Sequence, residues 1–542
     1  MTSGPAEALA PHWSPDGKSV AFLRRDPPDL GRQLDESRGD DAQVADSGYR
    51  YHRLCVLDVA SGVVKQVSPL GAAQVWQCAW SPDGLELLAA VTPTPKAEQQ
   101  AGTTDVVVYT LATGSARRLC TVEGYVSSPC WSPDGRQVAF LAALEQPAHG
   151  EIVLVPASGG EPRGLLGEAE LTATWLAWPA SVDRLLFSAQ VDLQSGLFAI
   201  TPGGDPVPIW RPDQLSRGVF GTDFSLDGSA TLAATVRSGP ETPPEVWVGP
   251  IERSSPVASE RPDSRFRQVT DLHSQGSGCK LGRTETVYWR ARDGLCLSGL
   301  LVLPPGYQLG HSVPLVVRPH GGPGMVWSDG FYASGPGWTH LLANHGIAVF
   351  MPNPRGGAGR GRAFLLANRG DLGGSDFTDI MSGIDALIER GVADPSRLGI
   401  GGWSYGGYMT AWAITQTDRF KAAVVGAGIV NWISYEGQCD CPQLFPRWYT
   451  LEDVYHQRQR SIASSPITHA ARVRTPTLIL QGADDPRVPA PQAGELYQGL
   501  RQLGVPVEYV CYPREGHSIT ERQHQLDLLR RASGWFVRYL SS

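Results

Sequence analysis

The chain is 542 residues long, several times the ~150 residues of a typical domain, so two to four domains are expected and a single small module is excluded. A net charge of -8 argues against DNA or an anionic membrane face as a partner, since both call for a basic surface. Gly (62) and Pro (43) together make up about a fifth of the residues, below the low-complexity range, so compact and turn-rich globular domains are expected.

The N-terminus, MTSGPAEALAPHWSPDG, has neither a basic region nor an apolar run of secretory length, and no signal peptide is expected. No stretch of ~18 uncharged apolar residues appears anywhere. Nine cysteines, an odd number without paired zinc-type spacing, read mostly as reduced, buried thiols of a cytoplasmic protein. Only five lysines occur, none in a recognisable Schiff-base context, so lysine-based covalent chemistry is not expected.

The first half repeats itself. HWSPDGKSVAFL (12–23), AWSPDGLELLAAV (79–91) and CWSPDGRQVAFLAA (130–143) are followed by the weaker copies AWPASVDRLLFSA (177–189) and DFSLDGSATLAATV (223–236). The anchors Trp13, Trp80, Trp131, Trp178 and Phe224 recur at about the 40–50-residue period of β-propeller blades. Pro, Asp and Gly in each WSPDG supply the preset φ, the side-chain acceptor and the permissive backbone of a tight turn. Each copy continues into a second strand pair, giving four strands per blade. Residues 1–278 are therefore expected to form a propeller of five recognisable blades, with length enough for five or six. The fixed tryptophans are read as blade packing rather than as a ligand surface, and a propeller by itself carries no chemistry.

From residue 279 to 542 strands alternate with helical stretches, the pattern of an α/β domain with a mostly parallel sheet. Strands are expected at 285–291, 297–303, 313–319, 347–352, 397–401, 422–426, 477–481 and 507–511. Between two of them, Gly402-Trp-Ser404-Tyr-Gly406 fits the G-x-S-x-G nucleophile elbow, with a strand before it and a helix after it. An acidic loop with Asp484 and Asp485 follows a later strand, and His517 follows the next. The order Ser, Asp, His is that of α/β-hydrolases.

Serine is a poor nucleophile at neutral pH, so His517 is expected to take the Ser404 proton and return it to the leaving group. Asp485 would hold the histidine tautomer, and spacing alone leaves Asp484 as a rival. The Tyr405 N–H, next after the nucleophile, is one expected oxyanion donor. Gly322 in the early loop Arg318-Pro-His-Gly-Gly-Pro-Gly324 is the second, with His320 a structural hydrogen-bonding group. The Cys439-Asp440-Cys441 pair offers two soft ligands, an incomplete metal site, and is read as a loop.

HGGPG (320–324), NPRGGAGRGRAF (353–364), DPSRLGIGGWSYGGYMT (394–410), SPI (465–467), GADDPRVP (482–489) and EGH (515–517) occur in that order. Over 279–542 the chain thereby resembles the prolyl oligopeptidase family of serine peptidases, most closely its acylaminoacyl-peptidase branch. That family usually has seven blades, two more than the five counted here. The resemblance places the triad acid at Asp485 and implies that Arg487 lies near the substrate backbone, the alternative being a loop arginine paired with Asp484. Trp432, Phe445 and Trp448 are candidates to line an apolar S1 pocket, or else are core. No Glu-Glu dipeptide occurs in 1–278, unlike the dipeptidyl-peptidase branch, whose members capture the substrate amine with such a pair.

The expectation is a serine peptidase that cleaves short or N-acylated peptides through an acyl-enzyme, without metal or organic cofactor, nucleic acid or membrane partner. A carboxylesterase on the same triad is the alternative reading, a non-catalytic propeller scaffold a weaker one, and a homo-oligomer is left open.

Overall fold

The computed structural model describes residues 7–42, 44–69, 71, 73–96, 102–142, 150–210, 219–251, 266–274, 280–333 and 337–541. The boundary expected at 278/279 lies outside these residues. The last propeller strand is Arg267–Gln268 and the first strand of the second half is Arg283–Arg290.

Among the described residues the first half forms five four-stranded antiparallel sheets, spanning Ala8–Gln66, Gln74–Glu123, Val126–Gly164, Thr172–Trp210 and Val219–Gln268. The WSPDG turns show why the repeat exists. In the first, the Gly17 N–H closes the turn on the Ser14 carbonyl at 2.9 Å, while Ser14 Oγ donates to Asp16 at 2.7 Å and accepts the Ser19 N–H at 2.9 Å. The same set recurs at Ser81/Asp83 and Ser132/Asp134. Each turn thus satisfies its own polar groups and launches the next strand in register.

Successive blades pack on one another through their first strands, with Trp131 buried between blades two and three and Phe224 between blades four and five. Trp80 reaches back to blade one, its indole donating to the His12 carbonyl at 2.9 Å. Trp13 departs from the expected blade packing and is 64% exposed. No comparable packing of the fifth blade against the first is found among the described residues. Among the described residues no strand of the fifth blade covers the first aromatic anchor.

The second half is one eight-stranded sheet whose strands fall on the eight expected stretches: β1 (Arg283–Arg290), β2 (Cys296–Leu303), β3 (Val313–Val317), β4 (Ala348–Asn353), β5 (Ala393–Trp403), β6 (Phe420–Gly426), β7 (Thr477–Gly482) and β8 (Val507–Tyr512). Their order is β1-β2-β4-β3-β5-β6-β7-β8. The pairs β1–β2 and β2–β4 are antiparallel and the remaining pairs parallel. Alternate residues feed two cores, as strand geometry requires. Leu315, Val317, Leu398 and Ile400 face helices α1 (Ser375–Glu389), α2 (Tyr405–Gln416) and α3 (Ala490–Gln502). Val316, Val424, Leu478 and Leu480 face α4 (Arg522–Leu540).

The two halves meet at blade four. Gly359, at φ +90°, sits where a Cβ would come within 3.1 Å of the Asp192 backbone. Its N–H donates to Thr172 Oγ1 at 2.9 Å and its carbonyl accepts from the Asp192 N–H at 2.6 Å. The glycine-rich NPRGGAG segment is therefore a close backbone contact between the halves. Arg447 adds an ion pair to Glu123 of blade two at 2.7 Å. The eight described cysteines are free thiols; Cys55, Cys78, Cys120 and Cys441 are buried, whereas Cys296 and Cys511 are exposed, contrary to a mostly buried set.

Candidate active site

β5 ends in the elbow. Ser404 has φ 61° and ψ −122°, a backbone region that a residue with a side chain occupies only where its surroundings impose it. The imposing contacts are visible: the Ser404 N–H donates to the Gly426 carbonyl at the end of β6 at 2.9 Å, and α2 starts at the next residue. A Cβ on Gly402 would meet the Gly406 carbonyl group at 2.6 Å, and one on Gly406 would meet the Pro319 carbonyl oxygen at 2.3 Å. Both flanking positions must be glycine because the turn and the 319–322 loop share the same space.

Asp485 and His517, which lie after β7 and β8, come together. His517 Nδ1 lies 2.8 Å from Asp485 Oδ2. Asp485 is buried and also accepts the Arg487 and Val488 N–H groups at 2.9 and 3.0 Å and Gln481 Nε2 at 3.1 Å. Asp484 is exposed, and its backbone N–H donates to the Glu515 carbonyl. The geometry therefore separates the two acids that spacing left open. The Trp403 indole donates to the His517 carbonyl at 2.8 Å, tying the histidine loop to the residue before Ser404.

Tyr405 opens α2, so its N–H has no acceptor within the helix and faces outward with the first-turn donors. The loop bearing Gly322 lies alongside: a Cβ on the neighbouring Gly321 would stand 3.6 Å from Ser404 Cβ, and Gly322 itself has φ +116°. His320 is buried, and burial pushes its imidazole down to about 4. One ring nitrogen contacts the Gly321 carbonyl at 2.8 Å and the other has no partner among the described residues. A neutral, enclosed ring suits a structural role better than a second base.

Arg487 is held at 2.8 Å by Asp440, not by Asp484. The CDC segment, read from sequence as a plain loop, thus carries the carboxylate that orients Arg487, and the Asp440 N–H bonds the Pro486 carbonyl at 2.8 Å. Nothing local signals a pairing across 47 residues. Trp432, Phe445 and Trp448 are all buried, at most 5% exposed, in the core under α2. Trp432 packs on Phe445 (4.8 Å between ring centres) and on Tyr408 (5.1 Å), which in turn packs on Tyr405.

Two supporting carboxyls have roles that the sequence motifs do not assign, although Glu515 lies within EGH. Asp376, at the start of α1, accepts the Tyr405 hydroxyl at 2.6 Å and the Gly373 and Phe377 N–H groups. Burial pushes it up to about 7. Glu515, two residues before His517, is enclosed; burial raises its carboxyl, but the Thr520 and Glu521 N–H groups and His524 outweigh that and hold it at about 2. These bonds pin the histidine loop to the start of α4.

Residues 337–542 match the model of the prolyl oligopeptidase family, peptidase S9. The chain is 29% identical to uncharacterized peptidase YuxL of Bacillus subtilis (strain 168), over 99% of this chain and 91% of that protein. It is also 29% identical to the acylamino-acid-releasing enzyme of Sus scrofa, over 46% of this chain, and there it spans 34% of the enzyme's length. An acylaminoacyl peptidase solved in complex with Z-Gly-Gly-Phe-chloromethyl ketone shares the fold with a TM-score of 0.71 at 20% identity, over 98% of this chain and 88% of that one.

Proposed function

Since its catalytic half makes this chain a member of the prolyl oligopeptidase family of serine peptidases, we propose that it hydrolyses short or N-acylated peptides through an acyl-enzyme on Ser404. In this reading residues 1–278 shield the site and 279–542 carry the chemistry. The observation that supports it most is the 2.8 Å contact of buried Asp485 with His517, on the loops beside the Ser404 elbow.

The Asp485 carboxylate accepts a hydrogen bond from His517 Nδ1–H, which leaves Nε2 free as a base for the Ser404 hydroxyl. As Ser404 Oγ bonds to the substrate carbonyl carbon, the Tyr405 and Gly322 N–H groups stabilise the oxyanion. His517 then gives its proton to the departing amine, and a water activated by the same histidine releases the acid. Arg487, oriented by Asp440, sits on the acyl side as a donor to a substrate carbonyl. Trp432, Phe445 and Trp448 back an apolar S1 wall, a preference that the phenylalanyl chloromethyl ketone held by the structural relative also suggests for P1. The free thiols suit a reducing, cytoplasmic setting.

A fluorophosphonate probe should label the wild type and not Ser404→Ala. Matched acetyl-aminoacyl amides and p-nitrophenyl esters then separate the two hydrolase readings. Turnover of both classes supports the peptidase, and turnover of esters alone would make the chain a carboxylesterase.

A further inference from the structure

A pocket of about 250 Å³ opens beside the site, lined by Arg318, Pro319, Gly321, Trp327, Trp338, Trp403, Ser518, Ile519 and Leu528. Its wall includes the immediate neighbours of three site residues: Gly321 precedes Gly322, Trp403 precedes Ser404 and Ser518 follows His517. A histidine that must protonate the departing amine has the leaving group on its own side. The pocket adjoins His517 through Ser518, whereas Arg487 shares the loop of Asp485 and is held by Asp440 from the segment between β6 and β7.

The pocket is mostly apolar, with three indoles among its walls, and contains one charge. The Arg318 guanidinium lies between two indoles, 4.7 Å from the Trp327 ring and 5.3 Å from that of Trp338, with Nη1 donating to Thr339 Oγ1 at 2.6 Å. No carboxylate stands within ion-pair distance of it among the described residues, whereas Arg53, Arg355 and Arg487 are each matched to an aspartate. Desolvation lowers the guanidinium to about 10, so it is cationic at neutral pH. Trp338 Nε1, also in this wall, is buried and has no acceptor among the described residues. Sinking an arginine into an aromatic pocket without its own anion is costly, and the cost is offset when a ligand brings the anion. A planar fork between aromatic faces suits a carboxylate in particular.

We propose that this pocket takes the first residue of the leaving group and that Arg318 pairs with its free α-carboxylate, so that preferred substrates are N-acyl dipeptides or short peptides cut one residue from their C-terminus. The inference rests on the peptidase reading above and names the substrate class of that same site. The chemistry is ordinary amide hydrolysis: the C–N bond breaks, His517 supplies the proton to the departing amine, and water completes the acid. The apolar walls select a bulky apolar side chain for the released amino acid.

The test compares kcat/KM for N-acetyl-Phe-Leu with a free C-terminus against its C-terminal amide, with N-acetyl-Phe p-nitroanilide alongside for the wild type. The acid should be preferred on the order of 10- to 100-fold, mostly through KM, and the acid-to-amide ratio should fall to near one in Arg318→Gln. Arg318→Lys, which keeps a charge under the indoles but loses the fork, should retain only part of the ratio, and it decides the matter if the glutamine variant does not fold. Equal turnover of acid and amide by the wild type, or a ratio that survives both substitutions, overturns the proposal while leaving the peptidase reading intact. If neither peptide nor the anilide is cleaved, the peptidase reading fails and takes the proposal with it.

Discussion

Gly406→Ala tests whether the elbow and the oxyanion loop are as tightly interlocked as their contacts imply. The new methyl would stand 2.3 Å from the Pro319 carbonyl oxygen and 3.0 Å from that of His320. Both are backbone atoms with no rotamer to yield, and ordinary contact needs about 3.5 Å, so one partner must move by roughly 1 Å. The loop that moves carries Gly322, and the turn that moves carries Ser404. Overpacking of this kind costs about 1–3 kcal/mol of stability, and a 1 Å misplacement of reacting groups costs about 10²-fold in rate. A thermal melt and kcat/KM on N-acetyl-Phe p-nitroanilide, corrected for active sites by fluorophosphonate titration, read both effects. Gly494→Ala is the control, since it lies within α3 with nothing inside 4 Å of the added carbon and should gain roughly 0.5–1 kcal/mol. If Gly406→Ala matches the wild type in both assays, the interlock is refuted.

Three further substitutions probe the supporting shell. Asp485→Asn should lower kcat by roughly 10³–10⁴ with little change in KM, because an amide at the Asp485 position favours the wrong histidine tautomer; pre-steady-state kinetics on the acetyl-aminoacyl ester checks it. Asp376 keeps its proton in the folded state up to about pH 7, whereas the unfolded chain releases it near pH 4. Its stabilising contribution is therefore complete below pH 4 and is lost as the pH rises through 7, by up to about 4 kcal/mol. Asp376→Asn should gain on the wild type in urea midpoint between pH 5 and 8.5, and a difference independent of pH would refute this. Glu515 has the opposite sign, being held at about 2 in the fold: its contribution is present above about pH 4.5 and is lost as the pH falls towards 2. Glu515→Gln should melt below the wild type at pH 7, converge with it only as the pH approaches 2, and lose kcat more than KM as the His517 loop loosens.

Much of this molecule is legible in local patterns because the responsible interactions are local. Ser14, Asp16 and Gly17 complete their turn within six residues, so the blades announce themselves in sequence. The elbow glycines, the acid loop and the histidine loop each follow a strand that alternation marks clearly, and the family pattern favours Asp485 over Asp484, for which the burial of Asp485 supplies a physical reason. What cannot be read depends on pairings between distant segments. Asp440 finds Arg487, Asp376 finds the Tyr405 hydroxyl, and Gly359 packs against blade four only once the sheet and the propeller are assembled. The exposed face of Trp13 is of the same kind: its motif is intact, and it differs from Trp131 in that, among the described residues, no other blade packs over it.

The central claim is that peptide-bond chemistry passes through Ser404 as an acyl-enzyme. Rapid-quench intact mass spectrometry with N-acetyl-Phe p-nitrophenyl ester, followed by peptide mapping, tests it most directly. One N-acetyl-phenylalanyl adduct per chain should appear before steady state, map to the peptide containing Ser404, and be absent from Ser404→Ala. An adduct on another residue, or undiminished turnover of acetyl-aminoacyl amides by Ser404→Ala, would contradict the account.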